Sequence, residues 1–347
     1  VMVGVGKAAE AWVLIRNGEA LQTAARLTAM VLDKTGTITE GAPAVTDIVV
    51  AGAIDEAQVL RLAAGLEAGS EHPLAAAIIE SAEQRGLQPE PVSNFMAIAG
   101  HGIEAQWQQR CLLLGNDKLM RERGIALGAH REVSERLAAE AKTPMFLAVD
   151  DELAAVIAVA DPVKEDSKAA IARLQRDGLR VVMLTGDNRA TAAAVAARVG
   201  IDEYVAEVLP DDKAARVEAL QREGEPVGMT GVGINDAPAL AQADVGFAIG
   251  TGTDVAIVSA DVTMMSGSLH GLADAIAVSR ATLRNIKQNL FGAFIYNAAG
   301  SPVAAGVLYP LTGMLLNPVV AGAAMAFSSL TVVSNANRLR LFKAARH

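Results

Sequence analysis

The sequence has little cysteine and few aromatic residues. Cys111 is the only cysteine among 347 residues, so no disulfide can form within the chain, and this usage fits a reducing compartment. Aromatic residues make up 3% of the chain, too few for the base-stacking platforms of nucleic acid-binding proteins. The formal net charge of −9 also argues against a nucleic-acid partner, because phosphate backbones attract basic surfaces.

One long stretch lacks charged residues altogether. From Gln288 to Asn337, fifty consecutive positions contain no Asp, Glu, Lys or Arg. A membrane-spanning helix needs roughly 20 apolar residues, so the stretch has room for two helices and a turn, which we place at 309–313. Basic residues flank both ends, which orients both toward the cytosol. We therefore predict two transmembrane helices within 283–337 and a basic cytosolic tail at 338–347.

A short apolar run that ends in an acidic residue is the centre of the sequence. Residues 29–33 read Ala-Met-Val-Leu-Asp, and Lys34, Thr35, Gly36 and Thr37 follow, a composition suited to a tight loop. Ligands of open α/β sheets bind at the carboxyl ends of the strands. Asp33 is therefore a candidate nucleophile for a phosphoryl group. The alternative interpretation of an isolated Asp at this place is a simple turn cap.

Three later segments place further polar groups after predicted strands or at a helix start. Thr185 follows the strand 180–184, Lys213 begins a helix, and Asp236 lies in the glycine loop 231–236. Beyond Asp161 the sequence alternates between strand and helix patterns, which predicts a parallel sheet covered by helices on both faces. If the sheet is wound in this way, we expect these groups to converge on one phosphate beside Asp33.

The string Asp33-Lys34-Thr35-Gly36-Thr37 resembles the signature of the P-type ATPases, whose phosphorylation domain belongs to the haloacid dehalogenase superfamily. The resemblance implies an α/β fold: a Rossmann-like, parallel-sheet phosphorylation domain at 24–43 and 152–275. It also implies an inserted α+β nucleotide-binding domain at 44–151 and a helical lead-in at 1–23. It implies an aspartyl-phosphate at Asp33, and Mg²⁺ held by Asp33, Thr35 and Asp236. The other catalytic residues implied are Lys34, Thr185, Gly186, Asp187, Lys213 and Asn235.

Two positions in this site depart from related patterns. Soluble phosphatases of the superfamily carry an Asp general acid and base two residues after the nucleophile, where this chain has Thr35. We therefore expect slow hydrolysis of an aspartyl-phosphate. The family pattern also has an Mg²⁺-binding Asp where this chain has Val232. Since a hard cation prefers anionic oxygen ligands, we expect weakened Mg²⁺ binding and reduced phosphorylation.

The inserted segment resembles the nucleotide-binding domain of heavy-metal P-type ATPases in the order and spacing of its motifs. By that resemblance the ATP-binding residues are Glu67, His72, Gly100, Gly102, Gly115 and Asn116. Taken singly, each motif has an ordinary structural explanation: a His before a helix-opening Pro is usually a surface cap, and a lone Gly-x-Gly is a weak signal.

The uncharged stretch contains a Tyr296-Asn297 pair and, in the second helix, Met325 and Ser329 four residues apart. Alone, Met fills gaps and Ser packs helices. Together they resemble the copper-exporting branch, and a thioether suits Cu(I) or Ag(I).

This resemblance implies an integral inner-membrane protein with cytosolic catalytic domains. Its partners would be membrane lipid, a copper donor protein and a missing N-terminal half with an actuator domain and a Cys-Pro-Cys helix. A membrane-tethered phosphatase of the dehalogenase type and an inactive nucleotide-binding relic are the alternatives.

Overall fold

The computed structural model of the protein describes residues 1–70, 73–307, 309–312 and 317–343. Within these ranges the strands form two sheets, one of seven strands and one of six. The six-stranded sheet is inserted in the chain between two strands of the larger sheet.

The seven-stranded sheet is parallel except for its first strand, which is antiparallel at one edge. Its strands are β1 (Val13–Ile15), β2 (Ala29–Asp33), β9 (Arg180–Leu184), β10 (Glu203–Val205), β11 (Val227–Gly231), β12 (Val245–Ile249) and β13 (Val262–Met264). Their spatial order is β1-β13-β12-β11-β2-β9-β10. All five residues of β2 are buried, as expected of a central parallel strand that is covered on both faces.

Helices cover both faces of this sheet, as the alternation of strand and helix patterns predicts. One face packs against α1 (Met2–Glu10), α2 (Gly18–Ala24), α7 (Ser167–Arg176), α8 (Arg189–Val199) and α12 (His270–Ala304). The other packs against α9 (Lys213–Arg222), α10 (Ala237–Gln242) and α11 (Asp254–Ser259). Met30 and Leu32 of β2 enter the first core while Val31 enters the second, because successive side chains of a strand point to opposite faces.

The six-stranded sheet is antiparallel and has its own two cores. Its strands are β3 (Ala44–Val50), β4 (Ser93–Ile98), β5 (Gly102–Trp107), β6 (Arg110–Gly115), β7 (Thr143–Val149) and β8 (Glu152–Ala160), in the order β3-β8-β7-β6-β5-β4. Helices α3 (Glu56–Glu67) and α4 (Pro73–Gln84) cover one face. Helices α5 (Asp117–Glu122) and α6 (His130–Ala139) cover the other.

Two domain boundaries differ from the sequence expectation. We placed the end of the insertion at 151, but β8 pairs with β7 and β3, so the inserted sheet continues to Ala160. Residues 1–23 were expected to be a helical lead-in. They contain β1 between two helices, and β1 pairs with β13 at the edge of the larger sheet.

The C-terminal part consists of α12, the short α13 (Tyr309–Thr312) and α14 (Pro318–Arg338). In the described residues one helix, Val319–Leu341, is long and apolar enough to cross a membrane by length and composition. From Gln288 to its last residue Ala304, α12 measures about 25 Å, against a bilayer core of about 30 Å. The second predicted span therefore stays a prediction. Gly313 of the predicted turn and tail residues 344–347 lie outside the described residues.

Candidate active site

Asp33 ends the central strand β2, and its carboxylate is buried, with 5% of the residue exposed. The ammonium group of Lys213, the first residue of α9, lies 2.7 Å from Asp33 Oδ1. Burial, together with the nearby charge of Asp236, raises the pKa of Asp33 to about 6 against the opposing effects of Lys213 and Lys34. The site thus holds a desolvated carboxylate next to a cation.

Asp236 lies at the end of a 3₁₀ turn, Ile234–Asp236, that follows β11. Its Oδ2 accepts hydrogen bonds from the backbone N–H groups of Val232 at 3.0 Å and Gly233 at 2.9 Å. Its Oδ1 lies 2.6 Å from Lys213 Nζ. Lys213 therefore bridges two buried carboxylates. Burial acts to lower the pKa of Lys213, but Asp33 and Asp236 together raise it above its ordinary value, so this lysine stays charged.

A second ion pair lies on the other side of Asp33. Lys34 Nζ contacts Asp187 Oδ2 at 2.7 Å, and both side chains are nearly fully buried. The other carboxylate oxygen of Asp187 accepts a hydrogen bond from the Thr143 hydroxyl at 3.1 Å. The backbone N–H of Asp187 donates to the Thr185 hydroxyl at 3.1 Å. This arrangement links the loop after β9 to the turn Lys34–Ile38 and to the start of β7.

The remaining predicted catalytic residues lie on the same loops but are less enclosed. Thr35 is half-buried in the irregular turn Lys34–Ile38, while Gly186 and Asn235 are exposed. The structure thus brings Asp33, Lys213 and Asp236 into direct contact and Lys34 into contact with Asp187.

Val232 lies against the turn Lys34–Ile38 that follows β2. Gly36 has a φ of +73°, and a Cβ placed on it would lie 2.7 Å from Val232 Cγ2. The backbone carbonyl of Val232 accepts a hydrogen bond from the Thr253 N–H at 2.9 Å. The position where the family pattern has a carboxylate therefore carries an isopropyl group against this loop.

Two residues that the sequence analysis did not single out support the same loop. Lys164 Nζ donates to the carbonyl oxygens of Gly36 and Gly267, each at 2.8 Å, and burial lowers its pKa. Asp161 Oδ1 accepts the backbone N–H of Gly41 at 3.0 Å. The sequence analysis used Asp161 only to mark where strand and helix patterns begin to alternate. Lys164, three residues later, is the charged residue that could have indicated a supporting role for this segment.

The predicted nucleotide residues lie on the inserted domain. Glu67, at the end of α3, is buried, and burial raises its pKa to about 7 against a hydrogen bond from Ser70. Asn116 caps α5 by accepting the Leu119 N–H at 3.1 Å and donates to the Gly100 carbonyl at 2.8 Å. A Cβ on Gly102 would lie 2.2 Å from the Leu114 carbonyl oxygen. His72 lies outside the described residues.

Gly115 has a local structural requirement like that of Gly102. A Cβ on Gly115 would lie 2.3 Å from the carbonyl oxygen of His101. Gly100, Gly102, Gly115 and Asn116 are thus gathered around one turn, and close strand packing is a sufficient reason for two of the glycines.

The predicted copper ligands lie on the C-terminal helices. Tyr296 and Asn297 are on α12, and Met325 and Ser329 are on α14; all four are exposed, Met325 to 70%. Asn297 Nδ2 donates to the Ala293 carbonyl of its own helix at 3.2 Å. These residues form a surface of this chain, and the structure records no contact that joins the four.

Residues 27–244 match the haloacid dehalogenase-like hydrolase family. The chain belongs to the haloacid dehalogenase-like hydrolases. The predicted α/β fold with a phosphorylation domain of this type is thereby confirmed, together with the observed parallel sheet.

The chain is also similar to metal-transporting P-type ATPases. It is 53% identical to a probable copper-transporting ATPase of Synechococcus elongatus, over 99% of the chain and 46% of the relative. It is 51% identical to a copper-exporting P-type ATPase of Vibrio cholerae, over 99% of the chain and 37% of the relative. A silver exporting P-type ATPase of Salmonella typhimurium is 48% identical, over 98% of the chain and 41% of the relative. The chain thus spans less than half the length of these relatives, and the resemblance predicted from the motifs is confirmed.

Solved structures agree with this similarity. A zinc-transporting PIB-type ATPase in an E2.Pi state matches with a TM-score of 0.68 and 35% identity, over 98% of this chain and 54% of the other. The catalytic domain CopB-B of a CPx-ATPase matches with a TM-score of 0.62 and 27% identity, over 78% of this chain and 97% of that domain.

Proposed function

We propose that this chain is the catalytic part of an ATP-driven exporter of Cu(I) or Ag(I) that works through an aspartyl-phosphate at Asp33. The observation that carries the proposal is the Lys213 ammonium group held between Asp33 and Asp236 at 2.7 and 2.6 Å. A buried carboxylate can attack a phosphoryl group only if nearby positive charge offsets the repulsion between the two anions. Lys213 supplies that charge at the carboxyl end of the central strand.

In the proposed reaction, Asp33 is the nucleophile, and Lys213 stabilises the negative charge on the transferred phosphoryl group. A carboxylate oxygen of Asp33 attacks the γ-phosphorus of ATP and forms an O–P bond. The bond from that phosphorus to the bridging oxygen breaks, and ADP leaves with the electron pair. Lys213 and the backbone N–H groups after Thr185 face the phosphate oxygens. The aspartyl-phosphate is then hydrolysed by water, which returns Asp33 and releases phosphate.

The residues present fit a resident Mg²⁺ poorly. Both oxygens of Asp236 already accept hydrogen bonds, and in the described residues no group of three or more His, Cys, Asp or Glu side chains could hold a metal. With Val232 in place of a third carboxylate, the site offers the Thr35 carbonyl and two carboxylates, Asp33 and Asp236, that are already paired with Lys213. We propose that phosphorylation is impaired for this reason, which keeps an inactive nucleotide-binding relic as an alternative.

Thr35 favours a persistent phosphoenzyme over a phosphatase. A threonine hydroxyl does not exchange a proton readily near neutral pH, so it is a poor general base for the attacking water. In the proposed pump a separate actuator domain would supply that base. A membrane-tethered phosphatase would need another base within this chain.

The proposed cargo follows from the ligand set on the C-terminal helices. Tyr296, Asn297, Met325 and Ser329 contain a thioether and no carboxylate, which suits a soft monovalent ion. All four are exposed in this chain, so a complete site would need ligands from a further helix, which we propose to be the Cys-Pro-Cys helix of an N-terminal half. In that assembly the catalytic domains are cytosolic and α14 crosses the inner membrane.

The test is labelling with ATP that carries radioactive phosphorus in its γ position. We expect an acid-stable, hydroxylamine-sensitive label that Asp33→Asn abolishes, weak in the natural sequence and stronger after Val232→Asp. Rapid phosphate release without label would favour the phosphatase. Nucleotide binding without label in either background would favour the relic.

A further inference from the structure

Five polar side chains meet where the middle of α12 adjoins the C-terminal end of α14. They are Asn285, Gln288 and Asn289 on α12, and Asn335 and Arg338 on α14; we call them the amide cluster. Asn285 is nearly fully buried, and α12 continues from it directly into the core of the larger sheet. The cluster therefore lies between the phosphorylation domain and the residues proposed to bind copper.

Four hydrogen bonds of the cluster cross between the helices, the longest from Asn335 Nδ2 to Gln288 Oε1 at 3.5 Å. Asn335 Nδ2 donates to Asn289 Oδ1 at 2.8 Å, and Arg338 Nη2 donates to Gln288 Oε1 at 2.8 Å. Asn285 Nδ2 donates to the backbone carbonyl of Asn335 at 2.7 Å. That carbonyl belongs to the last turn of α14, where helix carbonyls lack partners within the helix. Within α12, Asn289 Nδ2 also donates to Asn285 Oδ1 at 3.2 Å.

An open pocket lies beside the cluster. A cavity of about 250 Å³ lies between the two helices there, lined by Gln288, Asn289, Gly292, Thr331, Val332, Asn335 and Arg338. Small residues and a cavity leave few interlocking side chains to fix how far one helix slides along the other. Directional hydrogen bonds are then the contacts that distinguish one axial position from the next.

We propose that the amide cluster is a register clamp, which fixes the axial position of α14 against α12. Asn289 contacts Asn335, and one turn further along, Gly292 lies next to Thr331. In antiparallel helices the same register, continued for a second turn, places Tyr296 at the level of Ser328. Tyr296 and Ser328 continue the faces on which Asn289 and Asn335 lie, because seven residues are two turns.

For the proposed function this register has a direct consequence. It sets the axial position of Met325 and Ser329 relative to Tyr296 and Asn297, although none of these four residues belongs to the clamp. This consequence rests on the proposed copper site, whereas the clamp itself does not. The members of the cluster are positioning residues, since they touch neither nucleotide nor metal.

The experiment measures disulfide cross-linking in the full chain, in lipid nanodiscs and without ATP or copper. All variants carry Cys111→Ser, which removes the natural cysteine. The native-register pair is Gly292→Cys with Thr331→Cys, and the pair shifted by one turn is Gly292→Cys with Ser328→Cys. We expect diamide to cross-link the native pair at least about tenfold faster than the shifted pair, because the interhelical hydrogen bonds favour the native register.

Asn289→Leu and Asn335→Leu should each reduce the ratio of the two rates toward one. Ser334→Ala, the matched control on the exposed side of α14, should preserve the preference. Circular dichroism of each variant checks that the helices are formed. An unchanged ratio in both leucine variants would overturn the clamp, and so would loss of the preference in Ser334→Ala. Because no nucleotide or copper is present, failure of ATP labelling leaves this result unaffected.

Discussion

The ammonium group of Lys213 lies 2.7 Å from the carboxylate of Asp33, although 180 positions separate the two residues in the sequence. The contact forms because β2 and β10, the strand that precedes α9, both run parallel to β9, so that their carboxyl ends lie at the same edge of the sheet. Since both groups are largely removed from water, each depends on the other for charge compensation.

Replacement of Lys213 tests that dependence. In a Val232→Asp background, Lys213→Met should lower the yield of phosphoenzyme roughly 10²- to 10³-fold, because a preorganised charge next to the transferred group is lost. Lys213→Arg should give a yield of phosphoenzyme between those of Lys213→Met and the Val232→Asp background, because arginine keeps the positive charge but has a different shape. Lys118→Met is the control: it removes an exposed lysine that pairs with Glu207, and labelling should stay within twofold. Equal labelling in Lys213→Met would contradict the role given to Lys213.

Restoring a carboxylate at position 232 should increase phosphorylation. The Val232 side chain already points at the Gly36 loop, so an aspartate there would add an anionic oxygen where a divalent cation would be held. We expect Val232→Asp to increase phosphoenzyme roughly 10- to 100-fold and to make it dependent on Mg²⁺. Val232→Asn, of the same shape but uncharged, should give little gain. If the two variants behave alike, charge at this position is not the missing element.

The buried carboxyl of Glu67 predicts a pH-dependent stability of the inserted domain. Its pKa rises from 4.5 when unfolded to about 7 when folded, chiefly because of burial. The folded state therefore binds this proton more tightly. The contribution is complete below pH 4.5 and is lost as pH rises toward 7, for a total on the order of 3 kcal/mol.

Comparing denaturant unfolding of the natural sequence and Glu67→Gln between pH 4.5 and 8 measures this effect. The difference in the free energy of unfolding between the two proteins should change by that amount across the window. A difference that does not vary with pH would show that Glu67 keeps its ordinary pKa in the folded chain.

A buried ion pair joins the phosphorylation domain to the long C-terminal helix. Arg173 of α7 lies 2.8 Å from Asp274 of α12, and both side chains are almost fully buried. Arg173→Met leaves the buried Asp274 without this cation and should lower the free energy of unfolding by about 3–5 kcal/mol. The double variant with Asp274→Leu should recover much of that loss, because no buried charge remains. Losses that simply add would argue against a direct interaction.

The sequence by itself determined the local chemistry of this protein. The run Ala29–Asp33 predicted a buried strand that ends in a reactive carboxylate, and β2 has those bounds. The alternation of patterns after Asp161 predicted the parallel sheet, because apolar period and turn residues are local properties. The uncharged stretch likewise predicted two membrane helices, and in the described residues one helix is long and apolar enough to cross a membrane by length and composition.

Tertiary structure alone decided the relations between distant segments. The membership of β8 in the inserted sheet depends on its pairing with β7 and β3, and its apolar residues suit either sheet. The support of the Gly36 loop by Lys164 and the polar contacts between α12 and α14 also join residues far apart in the chain. Such contacts depend on how the whole chain packs, and a pattern within one segment does not contain that information.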